Sequence, residues 1–296
     1  MSAAALWSIA SIIYGRLGEQ IPPKQLNLIK GFVAIVLFLV TIVVSGEIFP
    51  DIPVISLFLL LLSGAIGIGL GDTTFFATIN ILGARRTLLI GTLVPVMTSL
   101  GGIVFLKESL NISGWLGILL TILGVAWVIT ERVPNREDWQ KNQVAWGIVL
   151  GLFTVLTNAI GSLFARAALA NTNINPVWAG LLRLSAGEVV LVLWLWWGFV
   201  RRQGISTAHR NQNSYWRSPG IITTTFIAAF LGTYLGIWLQ QTALKLSNVG
   251  VATTLMQASP LFVIPLTMWM GEKVTYRAII GVAIALFGIG MLFYLK

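Results

Sequence analysis

The sequence predicts an all-α polytopic membrane protein with ten transmembrane helices, arranged as two inverted five-helix repeats. Three observations lead to this fold class. The 296 residues are 56% hydrophobic and 10% charged, with a mean hydropathy of +0.87, whereas soluble domains carry about 25% charged residues. Apolar segments of helical length follow one another along the chain, and the second half of the sequence repeats the pattern of the first.

Most of the apolar segments are long enough to cross about 30 Å of hydrocarbon as a helix. They lie at roughly 3–15, 27–45, 54–80, 87–106, 114–130, 144–165, 177–200, 221–244, 249–270 and 276–295. The first is the exception, because about fourteen residues before Arg16 would reach only about 21 Å. It has no basic stretch before the apolar part, as a cleaved signal would, so we expect a short or N-terminally clipped first helix.

An internal repeat relates the two halves of the chain, which a polar linker at residues 131–143 separates. The matched residues are Gly67, Gly71 and Pro95 with Gly232, Gly236 and Pro260 at an offset of 165, then Glu108, Gly117 and Gly124 with Glu272, Gly281 and Gly288 at an offset of 164. A repeat with an odd number of spans must insert its second copy upside down. We therefore predict repeats at residues 1–130 (helices 1–5) and 144–296 (helices 6–10), with the binding site at the membrane midplane between them.

Asp72 is the strongest site candidate, because a carboxylate at membrane depth is costly unless it is paired, hydrated or protonated. The position that matches it in the second half is Ile237, whereas a symmetric structural role would be kept in both copies. A structural alternative stays open. The third segment is long enough for Asp72 to lie near the membrane edge and cap Thr73 and Thr74.

Other polar side chains within the apolar segments are candidates for the same cavity. They are Ser11 and Tyr14 on the first helix, Asn158 on the sixth, Tyr234, Trp238 and Gln241 on one face of the eighth, and Gln257 before Pro260 on the ninth. The amides are the better candidates, because a buried amide needs up to four hydrogen bonds. Serines in spans are more often partners in interhelical hydrogen bonds.

Two basic residues lie within the spans, each seven residues after a proline: Lys30 after Pro23 and Arg183 after Pro176. Both are within snorkelling reach of the membrane interface, so they could be simple anchors. The alternative is a coupling or gating role, as an electrostatic latch or an attractor for anions. Glu188 is a candidate partner for Arg183, although a spacing of five residues is poor for pairing on a helix.

Several classes of function are excluded by what the sequence lacks. There is no cysteine, which removes thiolate metal sites and cysteine nucleophiles. The single histidine, His209, lies in a polar loop, and no Walker A, zinc-site or catalytic-triad pattern is present. The basic residues are spread over short loops, which indicates membrane orientation rather than nucleic-acid binding. We expect no cofactor, no metal and no enzyme activity.

The stretches GTLVPVMTSLGGIVFLKESL and ATTLMQASPLFVIPLTMWMGEKV both run from an apolar helix through an internal proline to a glutamate. Gly-rich helices follow both, at WLGILLTILGVAWVI and AIIGVAIALFGIGMLF. This layout resembles the ten-helix EamA-type branch of the drug/metabolite transporter superfamily, although Lys30 stands where that family more often has arginine.

The resemblance implies a secondary transporter that exports small organic metabolites such as amino acids, with protons as a possible coupling ion. We expect a small-molecule substrate, a lipid bilayer environment and a monomer or weak homodimer. Three alternatives remain open: a channel, a translocator of lipid-linked sugars, or an intramembrane enzyme. A channel would need a continuous ring of polar residues, and the enzyme would need a paired nucleophile and base.

The charge distribution predicts the orientation of the chain. Thirteen of its nineteen Lys and Arg residues fall in loops on the side opposite the predicted termini, and four fall on the terminal side. Short loops rich in Lys and Arg stay in the cytoplasm, so the count places both termini outside. The family resemblance implies termini inside. We take the charge count as the guide, because no loop here is long enough to escape the rule.

Overall fold

The computed structural model describes residues 2–46, 50–106, 112–129, 141–170, 172–202, 219–247, 249–257, 259–269 and 275–294. Within these ranges the chain is helical apart from short connections, and it contains no β-strand. The all-α prediction is confirmed for this part of the chain.

The helices follow the predicted apolar segments closely. The first half contains α1 (Ser2–Gly18), α2 (Pro23–Ser45), α3 (Val54–Gly64), α4 (Thr73–Gly91), α5 (Val94–Leu106) and α6 (Ile112–Ile129). The second half contains α7 (Lys141–Leu169), α8 (Pro176–Arg202), α9 (Pro219–Ala228), α10 (Gly236–Leu246), α11 (Val249–Met256), α12 (Pro260–Trp269) and α13 (Tyr276–Tyr294). Two π-helical segments, Ala65–Asp72 and Ala229–Leu235, join α3 to α4 and α9 to α10.

Six stretches of the described chain are long and apolar enough to cross a membrane. They are Pro23–Ser45, Val54–Ala84, Arg86–Phe105, Asn142–Leu169, Pro176–Trp197 and Gly220–Leu246, and shorter apolar helices occur at Trp115–Gly124 and Ile279–Met291. Large apolar side chains point away from the protein, with Val44 exposed by 82% and Phe105 by 77%. Such a surface is suited to lipid, whereas exposed apolar patches of this extent are rare on soluble monomers.

Local sequence signals explain where α2 begins and ends. The helix starts at Pro23, where the missing N–H costs nothing because the first helical N–H groups have no intrahelical partner. It ends at Gly46, which adopts a left-handed conformation with φ of 62° and bonds through its N–H to the carbonyls of Ile42 and Val43. A second left-handed glycine, Gly83 with φ of 80°, breaks α4 into two parts.

The helix packing is reciprocal between the two halves. Helix α1 packs against α9, the second π segment and α10, and its counterpart α7 packs against α3, the first π segment and α4. In the same way α8 contacts the first π segment and α2 contacts the second, while α2 and α8 also pack against each other.

Helices α6 and α13 cross at small residues. A Cβ on Gly124 would lie 2.6 Å from the carbonyl oxygen of Gly281, and a Cβ on Gly288 would lie 2.7 Å from that of Gly117. Only glycine allows the two backbones to approach so closely, as at small-residue helix crossings in membranes. The four glycines are the pairs matched by the sequence repeat, so the crossing joins equivalent positions of the two halves.

Candidate functional site

Two helices are interrupted at matching positions of the repeat. After Gly91, Thr92 and Leu93 form a turn, with N–H groups bonded to the carbonyls of Leu89 and Ile90 at 3.0 Å each, and α5 then begins at Val94. Helix α11 ends at Met256, and α12 begins at Pro260. The breaks coincide with Pro95 and Pro260, the matched prolines, because a proline cannot donate the hydrogen bond that would continue the helix.

The two interruptions meet in the protein interior. A Cβ on Gly91 would lie 3.0 Å from Oε1 of Gln257, so the Gln257 side chain reaches the end of α4. The hydroxyls of Thr98 and Thr253 are 3.1 Å apart. Ser8 on α1 donates a hydrogen bond of 2.8 Å to the carbonyl of Ser259 in the second interruption. Side chains of neighbouring helices thus satisfy backbone groups at the breaks, as membrane interiors require.

A cavity of about 80 Å³ lies beside the interruptions. Residues of both π segments and of α1, α2, α4, α5, α7, α8, α10 and α11 line it. Its charged and amide side chains are Lys30, Asp72, Asn158, Arg183, Gln240 and Gln257. Since one water needs about 10–15 Å³ of such space, the cavity has room for several waters or a small solute.

Lys30 and Asp72 form a salt bridge at the wall of this cavity. The Lys30 Nζ donates to Oδ2 of Asp72 at 2.5 Å, with the lysine side chain fully buried and the aspartate side chain 11% exposed. Taking two charges out of water costs several kcal/mol per ion, and the pair offsets this cost only while both partners are present. Asp72 is therefore buried inside the protein and paired, and it does not lie at an exposed membrane edge.

Arg183 is the second cation of the cavity, and it is 3% exposed. No described residue accepts a hydrogen bond from its Nε or Nη1 atoms. Its Nη2 atom points toward Gly67, where a Cβ would lie 3.5 Å away, so the glycine leaves space beside the guanidinium. A guanidinium presents five donors in a planar fork that fits a carboxylate. Arg183 contributes to the cavity lining, while its Nε and Nη1 atoms are enclosed in the protein without an acceptor among the described residues.

Glu188 lies one helical turn and a half beyond Arg183, and the two side chains do not pair. Glu188 is 7% exposed, and within the described part of the chain neither of its carboxyl oxygens has a hydrogen-bond partner. It packs directly against the backbone of Gly31, where even a methyl group would overlap its Oε1 atom. The suggested Arg183–Glu188 pair is therefore wrong, for the reason given by the five-residue spacing.

The predicted site residues fall into two groups. The structure brings Asp72, Asn158, Gln257, Lys30 and Arg183 together at the cavity. Asn158 donates to the carbonyl of Thr154, and its Nδ2 atom would lie 3.2 Å from a Cβ on Gly71.

Tyr234, Trp238 and Gln241 lie away from the cavity lining, and the neighbouring Gln240 lines it instead. The Tyr234 hydroxyl is 2.6 Å from that of Thr41, and its ring centroid lies 5.9 Å from that of Trp238. Gln241 is fully buried, with neither amide atom bonded to a described residue. The π segment ends at Leu235, and its wider turn rotates the residues around it relative to an uninterrupted α-helix.

Ser11 and Tyr14 are also outside the cavity lining and have structural contacts. Ser11 donates to the carbonyl of Trp7 at 2.6 Å, on its own helix. Tyr14 donates to the carbonyl of Ala228 at 2.9 Å, and the Thr233 hydroxyl lies 2.9 Å from its oxygen. Tyr14 thereby supports the second π segment, whose wide turns leave backbone groups in need of partners.

Asn27 is a functional candidate that the sequence reasoning missed. Its Nδ2 group donates to the carbonyl of Ile68 at 3.0 Å and to the Thr73 hydroxyl at 2.9 Å, so it supports the first π segment as Tyr14 supports the second. The sequence does place this amide at the start of the second apolar segment. A polar residue at the end of a span is usually assigned to the membrane interface, so Asn27 was not considered as a buried residue. Gln240 was missed because the π segment was not foreseen.

Comparisons with known proteins agree with the architecture. The model of the EamA-like transporter family matches residues 1–130 and 145–294. The solute carrier family 35 member F6 of Mus musculus is 28% identical over 127 residues, which are 42% of this chain and 34% of that protein. The match thus spans about a third of the mouse relative's length.

A crystal structure of a protein with 14% sequence identity shares the fold, with a TM-score of 0.69 over 99% of this chain and 94% of the other. The two family matches cover most of the chain, and its long apolar helices suit an integral multi-pass membrane protein. The chain therefore belongs to the EamA-like transporter family.

Proposed function

We propose that this protein is a secondary transporter that exports small organic metabolites such as amino acids by alternating access. The observation that carries the proposal is the meeting of two interrupted helices, α4–α5 and α11–α12, beside a cavity with buried charges. Interrupted helices at corresponding positions of two repeats typically form the substrate site of a carrier.

The ten-helix inverted repeat belongs to this proposal. Its support is the reciprocal packing of α1 with the second π segment and of α7 with the first, together with the α6–α13 crossing at matched glycines. In such an arrangement the two repeats rock around a central site and expose it to each side of the membrane in turn. The cavity lies between helices of both repeats, as this mechanism needs.

The charges at the cavity favour a solute that carries both a carboxylate and an ammonium group. Arg183 lines the cavity, and its enclosed Nε and Nη1 donors have no acceptor among the described residues. A guanidinium that turns toward the cavity can bind a carboxylate through two parallel hydrogen bonds. Asp72 offers the matching acceptor, since its side chain retains an exposed fraction at the cavity wall while bonded to Lys30. Asn158, Gln240 and Gln257 can complete the polar contacts.

Counterflow in proteoliposomes tests the proposal. Vesicles loaded with a mixture of unlabelled L-amino acids should transiently accumulate labelled amino acids, with saturation at high external concentration. The Arg183→Lys variant keeps the charge but loses the planar fork, so its apparent KM should rise while Lys141→Arg, at the start of α7, behaves as wild type. Flux that never saturates and shows no counterflow would indicate a channel.

The direction of transport needs a separate measurement in cells. Cells that overproduce the protein should release more of the substrate than cells that lack it, and comparing their extracellular metabolites also identifies the substrate. Release of sugars or lipid-linked compounds instead of amino acids would overturn the proposed substrate class and favour the corresponding alternative.

A further inference from the structure

Glu188 is a buried acid that the proposed substrate contacts do not use. It lies on α8 outside the cavity lining, against Gly31 of α2, and no described residue donates a hydrogen bond to either carboxyl oxygen. A bare carboxylate excluded from water costs several kcal/mol, whereas the protonated carboxyl carries no charge and a smaller penalty. The unbonded, enclosed position is therefore suited to the protonated form.

The charged groups that face Glu188 come from the elements packed against α8, which are α2, α3, the first π segment and α10. Lys30 of α2 and Asp72 of the π segment act on it electrostatically, and Arg183 lies on its own helix. Helix α3 contains no titratable residue. On α10, Lys245 bonds to the carbonyl of Ile174, and Lys24 at the start of α2 lies 3.6 Å from the Trp194 ring centroid.

Lys30 lies near both acids. It precedes Gly31, the residue that Glu188 touches, and it bonds to Asp72 in this structure. A lysine side chain is a flexible stem with a compact charge, and rotation of this stem is the movement that would carry the ammonium group from Asp72 toward Glu188. One positive charge compensates only one of the two acids when both are ionised.

We propose that Glu188 is a proton-binding site that exchanges its proton for the substrate's ammonium group through Lys30. The ammonium group binds Asp72 and displaces Lys30, which turns to Glu188. Lys30, which lines the cavity, gives one of its protons to water there. The O–H bond of the Glu188 carboxyl then breaks and its proton passes to Lys30, which again holds three protons and pairs with the carboxylate. The ammonium group brings in one positive charge as the proton carries one out, and the substrate carboxylate pairs with Arg183. Every charge of the buried cluster is then paired, and the transporter is a proton antiporter.

Difference infrared spectroscopy tests the proton site without any substrate. Wild-type protein should show the carbonyl band of a protonated buried carboxyl that disappears as the pH rises, and Glu188→Gln should lack it. Glu19→Gln, which changes an exposed acid, should keep the band. Gly31→Ala, which forces the carboxyl to move while keeping every titratable group, should shift the pH at which the band disappears. A wild-type band that persists unchanged in Glu188→Gln would overturn the proposal.

Transport of labelled L-amino acids separates this proposal from the proposed function on which its ammonium step rests. Wild type should show both counterflow and accumulation driven by a pH gradient. Glu188→Gln should retain counterflow and lose the pH-driven accumulation, because no proton is exchanged. Retained pH-driven accumulation in this variant would refute the antiport role. Loss of wild-type counterflow with the infrared band intact would refute the proposed substrate and leave the proton site standing.

Discussion

At the scale of single residues, the protein interior contains two cations and two acids that differ in whether they have a partner. Lys30 and Asp72 satisfy each other, while Arg183 and Glu188 lie on one helix without bonding to each other. Paired buried charges are tolerated, and unpaired ones are expensive enough that they usually mark a function in a membrane protein. This inequality is the basis on which we propose that Arg183 binds substrate and Glu188 binds a proton.

The Lys30–Asp72 pair makes a prediction about stability. Asp72→Asn leaves the Lys30 ammonium buried and uncompensated, so the free energy of unfolding should fall by about 3–5 kcal/mol. Replacing both residues, as Asp72→Asn with Lys30→Met, removes the charge and should recover most of this loss. Thermal unfolding of the purified proteins in detergent measures the difference.

The control for this prediction is Asp51→Asn, at an exposed carboxylate, which should leave the unfolding temperature unchanged. An Asp72→Asn protein as stable as wild type would mean that Lys30 finds another partner, and the buried pair would then not be a structural requirement. Transport should be lost in both Asp72 variants, since each lacks the proposed acceptor for an ammonium group.

At the scale of elements, irregular helices create the site. The two π segments and the two interrupted helices occur at matching positions of the repeat. Asn27 bonds to a carbonyl of the first π segment, and Tyr14 bonds to the carbonyl of Ala228, just before the second. Irregular helical geometry leaves polar backbone groups in need of partners. In this protein the irregular segments border the cavity, where such groups can also meet water or solute.

Gly64 tests how closely α3 and α8 must approach. A Cβ at this position would overlap the carbonyl oxygen of Arg183, a backbone atom that cannot move away alone. Gly64→Ala should therefore separate the helices and lower stability by about 1–3 kcal/mol, and it should displace Arg183 from the cavity. Gly290→Ala, with no atom within 4 Å of the new Cβ, should be neutral or stabilising by up to about 1 kcal/mol. Equal unfolding temperatures for the two variants would contradict this prediction.

At the scale of the whole molecule, an inverted-repeat carrier works in either orientation, because exchanging its halves restores a similar cavity. Orientation is therefore a matter of loop charge and not of the site. The polar loop at residues 203–218, which carries Arg210 and Arg217, lies outside the described residues, so its side of the membrane stays a prediction from the sequence.

Single-cysteine labelling measures the orientation. The chain contains no cysteine, so Asn211→Cys places the only reactive thiol in the basic loop. The charge count predicts a cytoplasmic loop, hence a membrane-impermeant maleimide should label this variant only after the cells are lysed. A second variant with cysteine at Ser2 should be labelled in intact cells. Labelling of the Asn211→Cys protein from outside would support the orientation implied by the family resemblance.

The apolar helices, the internal repeat and five polar residues of the cavity (Lys30, Asp72, Asn158, Arg183 and Gln257) could all be predicted from the sequence. These follow from composition and spacing, because lipid solvation makes every intramembrane polar group conspicuous. Three contacts could be found only in the folded protein: Lys30 pairs with Asp72, Glu188 packs against Gly31, and Gln240 rather than Gln241 lines the cavity. Such contacts depend on the rotation of each helix about its axis, which the π segments shift and which only packing against neighbouring helices sets.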